Sequence, residues 1–209
     1  MSSRTARFLA ALPLVALAAC AQTGALAPGG PSDFIVVSDF TAPPGIVRLD
    51  PSFGFSLNRG EPGVPTQQRA ASIGRAVAFL VTDTIVERLR ALGYDATSTS
   101  SPNPTASGYR ALIIGGTFRT IDEGQRRRVG DEHSAVIADV TIKAEQPGGG
   151  IQTVQSFTID SRTAPRVHGQ SAATRRETGV DADASDVGAE IARVVSEVAR
   201  RNNWLPARR

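Results

Sequence analysis

The sequence predicts one two-layer α/β (α+β) domain, a mixed sheet of four to five strands with two helices packed on one face, in the order β-α-β-β-β-β-α. Three observations predict it. Two long stretches place apolar residues at three- and four-residue steps, the mark of a helix with one buried stripe. Several shorter runs are β-branched and either alternate in twos or are apolar throughout, as strands are. Segments rich in Gly, Pro and Ser separate these runs, and no internal repeat is present. The chain has 209 residues, enough for a single hydrophobic core.

The first element is a leader rather than part of the fold. Arg4 and Arg7 make a positive start, FLAALPLVALAA from Phe8 to Ala19 is uncharged and apolar, and Leu17-Ala18-Ala19-Cys20 closes the run with small residues. These zones read as a bacterial export signal, residues 1–19, and the apolar run is shorter than the roughly 20 residues that span a bilayer. The Leu-Ala-Ala-Cys ending resembles a lipobox. That resemblance implies a diacylglyceryl thioether on Cys20, cleavage just before it and acylation of the new amine. Cysteine suits the step because a thiolate is a strong nucleophile. The alternative is an ordinary secretory signal that leaves a free thiol. Ala21 and Gln22 follow, with no aspartate resembling an inner-membrane retention signal, so the resemblance implies outer-membrane sorting; the domain is expected to face the periplasm. The expected membrane contact is through the N-terminal lipid.

Residues 20–32 are then a lipidated cysteine and a small-residue tether, reaching roughly 20 Å if flexible. Residues 33–209 form the domain. Its first strand begins near Asp33-Phe34-Ile35-Val36-Val37. A long loop rich in Pro and Gly occupies 41–66. Within it Phe53, Phe55 and Leu57 alternate with Gly54 and Ser56. This reads either as a short strand or flap packed on its own domain or as an apolar edge for a partner or the membrane surface. Gln68 to Leu92 is helical, with Ile73, Val77, Leu80, Val81, Ile85 and Leu89 on one stripe and Gly93 as its C-terminal stop. Tyr94 to Thr99 is a short strand. Three more follow at Arg110–Ile121, Ser134–Gln146 and Ile151–Ile159, the last two joined by a Pro-Gly-Gly-Gly hairpin. Residues 162–184 are polar and aperiodic and read as a mobile connection. The last helix runs from about Asp186 to Asn202, with Ser185 as N-cap and Val187, Ile191, Val194, Val195 and Val198 inward. Trp204 and Leu205 anchor its end. The expected core includes Ile35, Val37, Val77, Leu80, Ile113, Val140, Val194 and Val198.

Charge narrows the function classes. A pI near 9.7 suggests a nucleic-acid binder. The excess is small, however: 23 basic against 20 acidic side chains, and two of the basic ones lie in the leader. Lys143 is the only lysine, so the high pI reflects arginine that does not deprotonate. An exported protein does not meet the genome, and no nucleic-acid partner is expected. With one cysteine the chain forms no internal disulfide, so stability must come from packing.

Residue types exclude several catalytic machines. A P-loop needs Gly-Lys-Ser/Thr, and Lys143 follows Ile142. The Ser-x-x-Lys pattern fails because position 140 is Val. There is no Gly-x-Ser-x-Gly elbow and no His-Glu-x-x-His. His133 follows Asp131 and Glu132, and His168 lies in the mobile connection; neither spacing supports a metal site or a triad. Asp181, Asp183 and Asp186 lack the glycine and distal glutamate of a calcium loop and shape the approach to the last helix. No cofactor, metal or catalytic residue is predicted. The rival class is a periplasmic hydrolase whose Ser, His and Asp converge only on folding.

The most distinctive stretch is GGTFRTIDEGQRRRVGDEHSAVIADVTI, Gly115 to Ile142. Two strands flank a turn that carries Arg126, Arg127 and Arg128, with Arg119 near it. Guanidinium forks suit phosphate and carboxylate groups, so the turn reads as a surface for an envelope protein or an anionic envelope polymer. The alternative is a solvated turn neutralised by Asp122, Glu123, Asp131 and Glu132. The stretch resembles a family of bacterial lipoproteins known as domain of unknown function 4410. Gly116-Thr117-Phe118, Ile121-Asp122-Glu123-Gly124, Arg128, Gly130 and Ser134-Ala135-Val136 match its pattern in order. Gln125 stands where the family has Asn, and Asp131-Glu132-His133 where it has a glycine-rich turn. The resemblance covers about thirty residues. It implies an envelope lipoprotein and supplies no catalytic residues.

Overall fold

The computed structural model describes residues 34–50, 64–101, 110–124, 133–145, 150–164, 179–202 and 204. The elements are β1 (Phe34–Ser38), β2 (Val47–Arg48), α1 (Thr66–Ala91), β3 (Ala96–Thr99), β4 (Ala111–Asp122), β5 (Ala135–Glu145), β6 (Ile151–Asp160) and α2 (Val180–Arg201). The sheet order is β3-β1-β4-β5-β6, with β2 beside β4. β1 runs parallel to β3 and to β4, and β5 and β6 add antiparallel. This is the mixed sheet with two helices that the sequence predicts, plus one short strand.

Alternation explains which face meets the helices. Leu112, Ile114, Phe118 and Ile121 of β4 are almost fully buried, as are Val136, Ala138, Val140 and Ile142 of β5. Ile35 and Val37 of β1 join them. α1 contributes Val77, Val81, Ile85 and Leu89, and α2 contributes Val187, Ile191, Val195 and Val198. Side chains two apart on a strand share a face, so one helix layer covers one set and leaves the other set outside. Of the expected core, Leu80 and Val194 are only half-buried and pack at its margin, and Ile113, though buried, lies on the opposite face of β4 from Leu112 and Ile114, because it alternates with them. The helices also touch each other closely: a Cβ on Gly188 would lie 2.8 Å from Thr84 Cβ and 3.0 Å from Val81 O.

α1 ends as its sequence predicts. Gly93 has φ 88°, and its N–H donates to Arg90 O at 2.9 Å. Arg90 Nε then donates to Ala96 O at 2.8 Å, tying the helix end to β3. Trp204 is 6 % exposed and its N–H reaches Ala199 O at 2.8 Å.

Three expectations need correction. Val47 and Arg48, within the segment read as loop 41–66, pair with Ile121 and Asp122; two residues are too short to show a period. α2 begins at Val180, inside the segment read as a mobile connection at 162–184, because Val180, Ala184, Val187 and Ile191 already form one buried stripe. Gly179, with φ 66° and ψ −160°, precedes that first turn. Ser185 is therefore not the N-cap: it lies one turn inside, and its hydroxyl donates to Asp181 O at 3.1 Å.

Candidate functional site: the helix-free face of the sheet

The face turned away from the helices carries two buried apolar side chains, Val36 and Ile113, and is polar beside them. The strand registers lay it out in rows. Val36, Ile113 and Lys143 form one row, and Gly115, Thr141 and Ser156 the next. Thr117, Asp139 and Thr158 form the third. The glycine in the middle row has no side chain, so the surface dips between Ser38 and Thr141. A groove of about 560 Å³ lies there, lined by Ser38, Asp39, Ser100, Thr117, Asp139 and Lys143 among others.

The two adjacent glycines of β4 do different work. A Cβ on Gly116 would lie 2.4 Å from Phe40 Cε1 and 2.6 Å from Asp139 O, so glycine is required for Phe40 to pack there. Phe40 in turn stacks at an angle on Phe118, with ring centroids 5.7 Å apart. A Cβ on Gly115 would meet only Ser38 Cβ, at 3.7 Å, an ordinary contact. Gly115 is thus open floor, and Gly116 is packing.

Asp139 organises the end of the groove. It accepts Thr158 Oγ1 at 2.6 Å and Arg119 Nε at 2.6 Å. These two hydrogen bonds hold its carboxyl below the usual aspartate range, Thr158 first and Arg119 second. Arg119 is the residue inserted where the β4–β5 register shifts between Phe118 and Thr120. A bulge re-aims the side chain it inserts. The guanidinium of Arg119, one of the arginines that the sequence offers for a partner, is committed to Asp139 on the sheet. Lys143 is exposed at the other end of the groove. The arrangement offers hydroxyls, carboxylates and one ammonium for hydrogen bonding.

The remaining predicted site residues divide simply. Cys20, Phe53, Phe55, Leu57, Arg126, Arg127, Arg128 and His168 lie outside the described residues. His133 is described and exposed. Among the described residues it makes no hydrogen bond with a serine or carboxylate, and no three His, Cys, Asp or Glu side chains are grouped to hold a metal. No helix among them is long and apolar enough to cross a membrane.

A second hollow of about 500 Å³ lies between the start of α1 and the start of α2, where Arg69, Arg75, Glu123 and Asp181 face it. Its carboxylates serve the fold in part: Glu123 Oε2 accepts Asp50 N–H at 3.2 Å.

Sequence reasoning did not find the groove. Its signal was the Gly115-Gly116 pair inside an apolar strand, which reads as a bulge or close backbone approach. Which side each glycine serves depends on strand neighbours that only the fold supplies.

No family model matches the chain, and no curated protein matches it. Solved structures do. A PelC dodecamer from Paraburkholderia phytofirmans aligns over 78 % of this chain and 91 % of its own, at 11 % identity and TM-score 0.35. A homolog of a neuraminyllactose-binding hemagglutinin from Helicobacter pylori aligns over 84 % and 89 %, at 12 % identity and TM-score 0.39. The hypothetical protein CT253 from Chlamydia trachomatis aligns over 84 % and 99 %, at 10 % identity and TM-score 0.30.

Proposed function

We propose that the protein is a lipoprotein anchored in the outer membrane through Cys20, with its domain in the periplasm, acting as a non-catalytic envelope component that binds a protein or an envelope polymer. The observation that carries this reading is the N-terminal pattern: two arginines, an uncharged apolar run and Leu-Ala-Ala-Cys. The resemblance of Gly115–Ile142 to the lipoproteins of domain of unknown function 4410 agrees with it. A polar sheet face with a shallow groove suits binding better than covalent chemistry, which needs a nucleophile beside its base. The Arg126-Arg127-Arg128 turn and the Phe53–Leu57 stretch are the proposed partner surface.

The test separates anchoring from binding. Cys20→Ser is expected to leave an unprocessed, unlipidated precursor; normal processing and membrane retention of that variant would refute the anchor. Cross-linking in intact cells followed by capture of the tagged full chain then identifies the partner. Replacing all three arginines of the turn by Ser is expected to weaken that capture at low salt, with the difference from the parent shrinking as salt rises. Capture of the same species at the same yield by the variant would remove the turn from the binding surface.

A further inference from the structure

β6 is one rim of the sheet. Its inner side pairs with β5 from Ile137↔Asp160 to Glu145↔Ile151. Its outer side pairs with no described strand. From Ile151 to Ile159, nothing beyond β5 bonds its backbone among the described residues. An unpaired strand edge is a template for another strand, and proteins blunt such edges with charge, proline, a bulge or shortness. The other rim, β3, is blunted by shortness, with four residues. β6 has ten. The run IQTVQSFTI from Ile151 to Ile159 contains no charged residue and no proline. The first charge, Asp160, is tied to Arg162 at 2.5 Å.

We infer that β6 pairs antiparallel with β6 of a second copy of this chain, making a two-fold dimer with one continuous sheet. Charge selects the second copy as the occupant. Like charges directly opposite each other destabilise a strand pair, and self-pairing of an uncharged run places none there. The helix above the rim is also its own complement. Arg201 of α2 donates to Gln155 of β6 at 3.1 Å, so the stripe of α2 that carries Arg201 overlooks the rim. One to three turns back on that stripe lie Glu197, Arg193 and Glu190, with Arg193 bonded to both glutamates. A surface that alternates sign along its length can meet a two-fold copy of itself with opposite charges facing. Pairing also covers Ile151, which is 48 % exposed at the start of the strand.

Self-pairing has a geometric signature that another partner lacks. At a two-fold axis between antiparallel strands, a residue faces its own copy with Cα atoms about 4.5–5.5 Å apart, within disulfide reach. Single cysteines at Gln152, Thr153, Gln155 and Ser156 in the full chain should therefore give a covalent dimer on oxidation in membranes. The yield should peak at one position or two neighbours. Thr97→Cys on β3 and the parent chain should give none.

Lysine and glutamate are then placed separately at the peak position. Each variant, solubilised as the full chain, should show half the parent's mass by light scattering with its melting curve kept. An equal mixture of the two should return to the parent's mass. A parent that is monomeric, a β3 cysteine that cross-links as well as β6, or Lys and Glu variants that keep the parent's mass would overturn the proposal. Capture of a different protein at this rim with no self-cross-link would do the same.

Discussion

At Gly116 one methyl group would meet the Phe40 ring at 2.4 Å and the Asp139 carbonyl at 2.6 Å. Neither neighbour is the loose end of a flexible chain, so Gly116→Ala should cost about 1–3 kcal/mol in a urea or thermal melt. Gly115→Ala, whose new Cβ finds only an ordinary contact, should change stability far less while narrowing the groove. Equal costs at the two positions would mean that the packing of Phe40 is wrongly described. Asp139 makes a second test at this scale. Its folded carboxyl titrates lower than in the unfolded chain, held down by Thr158 and Arg119. Its stabilisation is therefore present above the ordinary aspartate value, about 3.9, and is lost as pH falls through the lower folded value. The group is exposed, so Asp139→Asn should lower stability at neutral pH by under about 1 kcal/mol. That gap should close under strong acid; a gap that does not change with pH would contradict the assignment. None of this was legible in the sequence. The alternation of β4 and β5 was, but the partner across a strand depends on register.

The start of α2 rests on the backbone of Gly179. Gly179 holds a backbone conformation with φ 66° and ψ −160°, a region left almost entirely to glycine. Gly179→Ala should cost about 1–3 kcal/mol. Ser185→Ala should cost less than about 0.5 kcal/mol, where loss of a true N-cap would cost about 1 kcal/mol. Thermal melts of the two variants side by side decide which residue begins the helix. The sequence misplaced this start because Asp181, Ala182, Asp183, Ala184 and Ser185 look like a polar linker. The buried stripe beginning at Val180 was visible but rested on small residues. Asp181 and Asp183 in the first turn face the positive end of the helix dipole, which favours them. The strongly periodic elements, α1 and the β4–β5 pair, were read to within two residues at their ends. β2 has no pattern of its own; pairing with Ile121 and Asp122 makes it a strand.

For the whole molecule, layer order explains why a polar face exists at all. Both described helices lie on one side, so among the described residues no helix covers the other side of the sheet. Fold and surface can therefore be tested independently. Replacing Arg126, Arg127 and Arg128 together by Ser should move stability by no more than about 0.5 kcal/mol, while capture of the partner falls. The fold class was legible because two helical stripes and several alternating runs admit few ways of burying both. The polar groove was not, since it arises from residues of β1, β4 and β5 and of the segments that follow β1 and β3. The proposed function rests instead on the leader. Its most direct measurement is the mass of the N-terminal peptide from protein purified out of the membrane fraction. A lipoprotein gives a chain that begins at Cys20 and carries a thioether-linked diacylglyceryl group and an acylated amine. A free thiol at Cys20, or a mature chain cut at another residue, would contradict it.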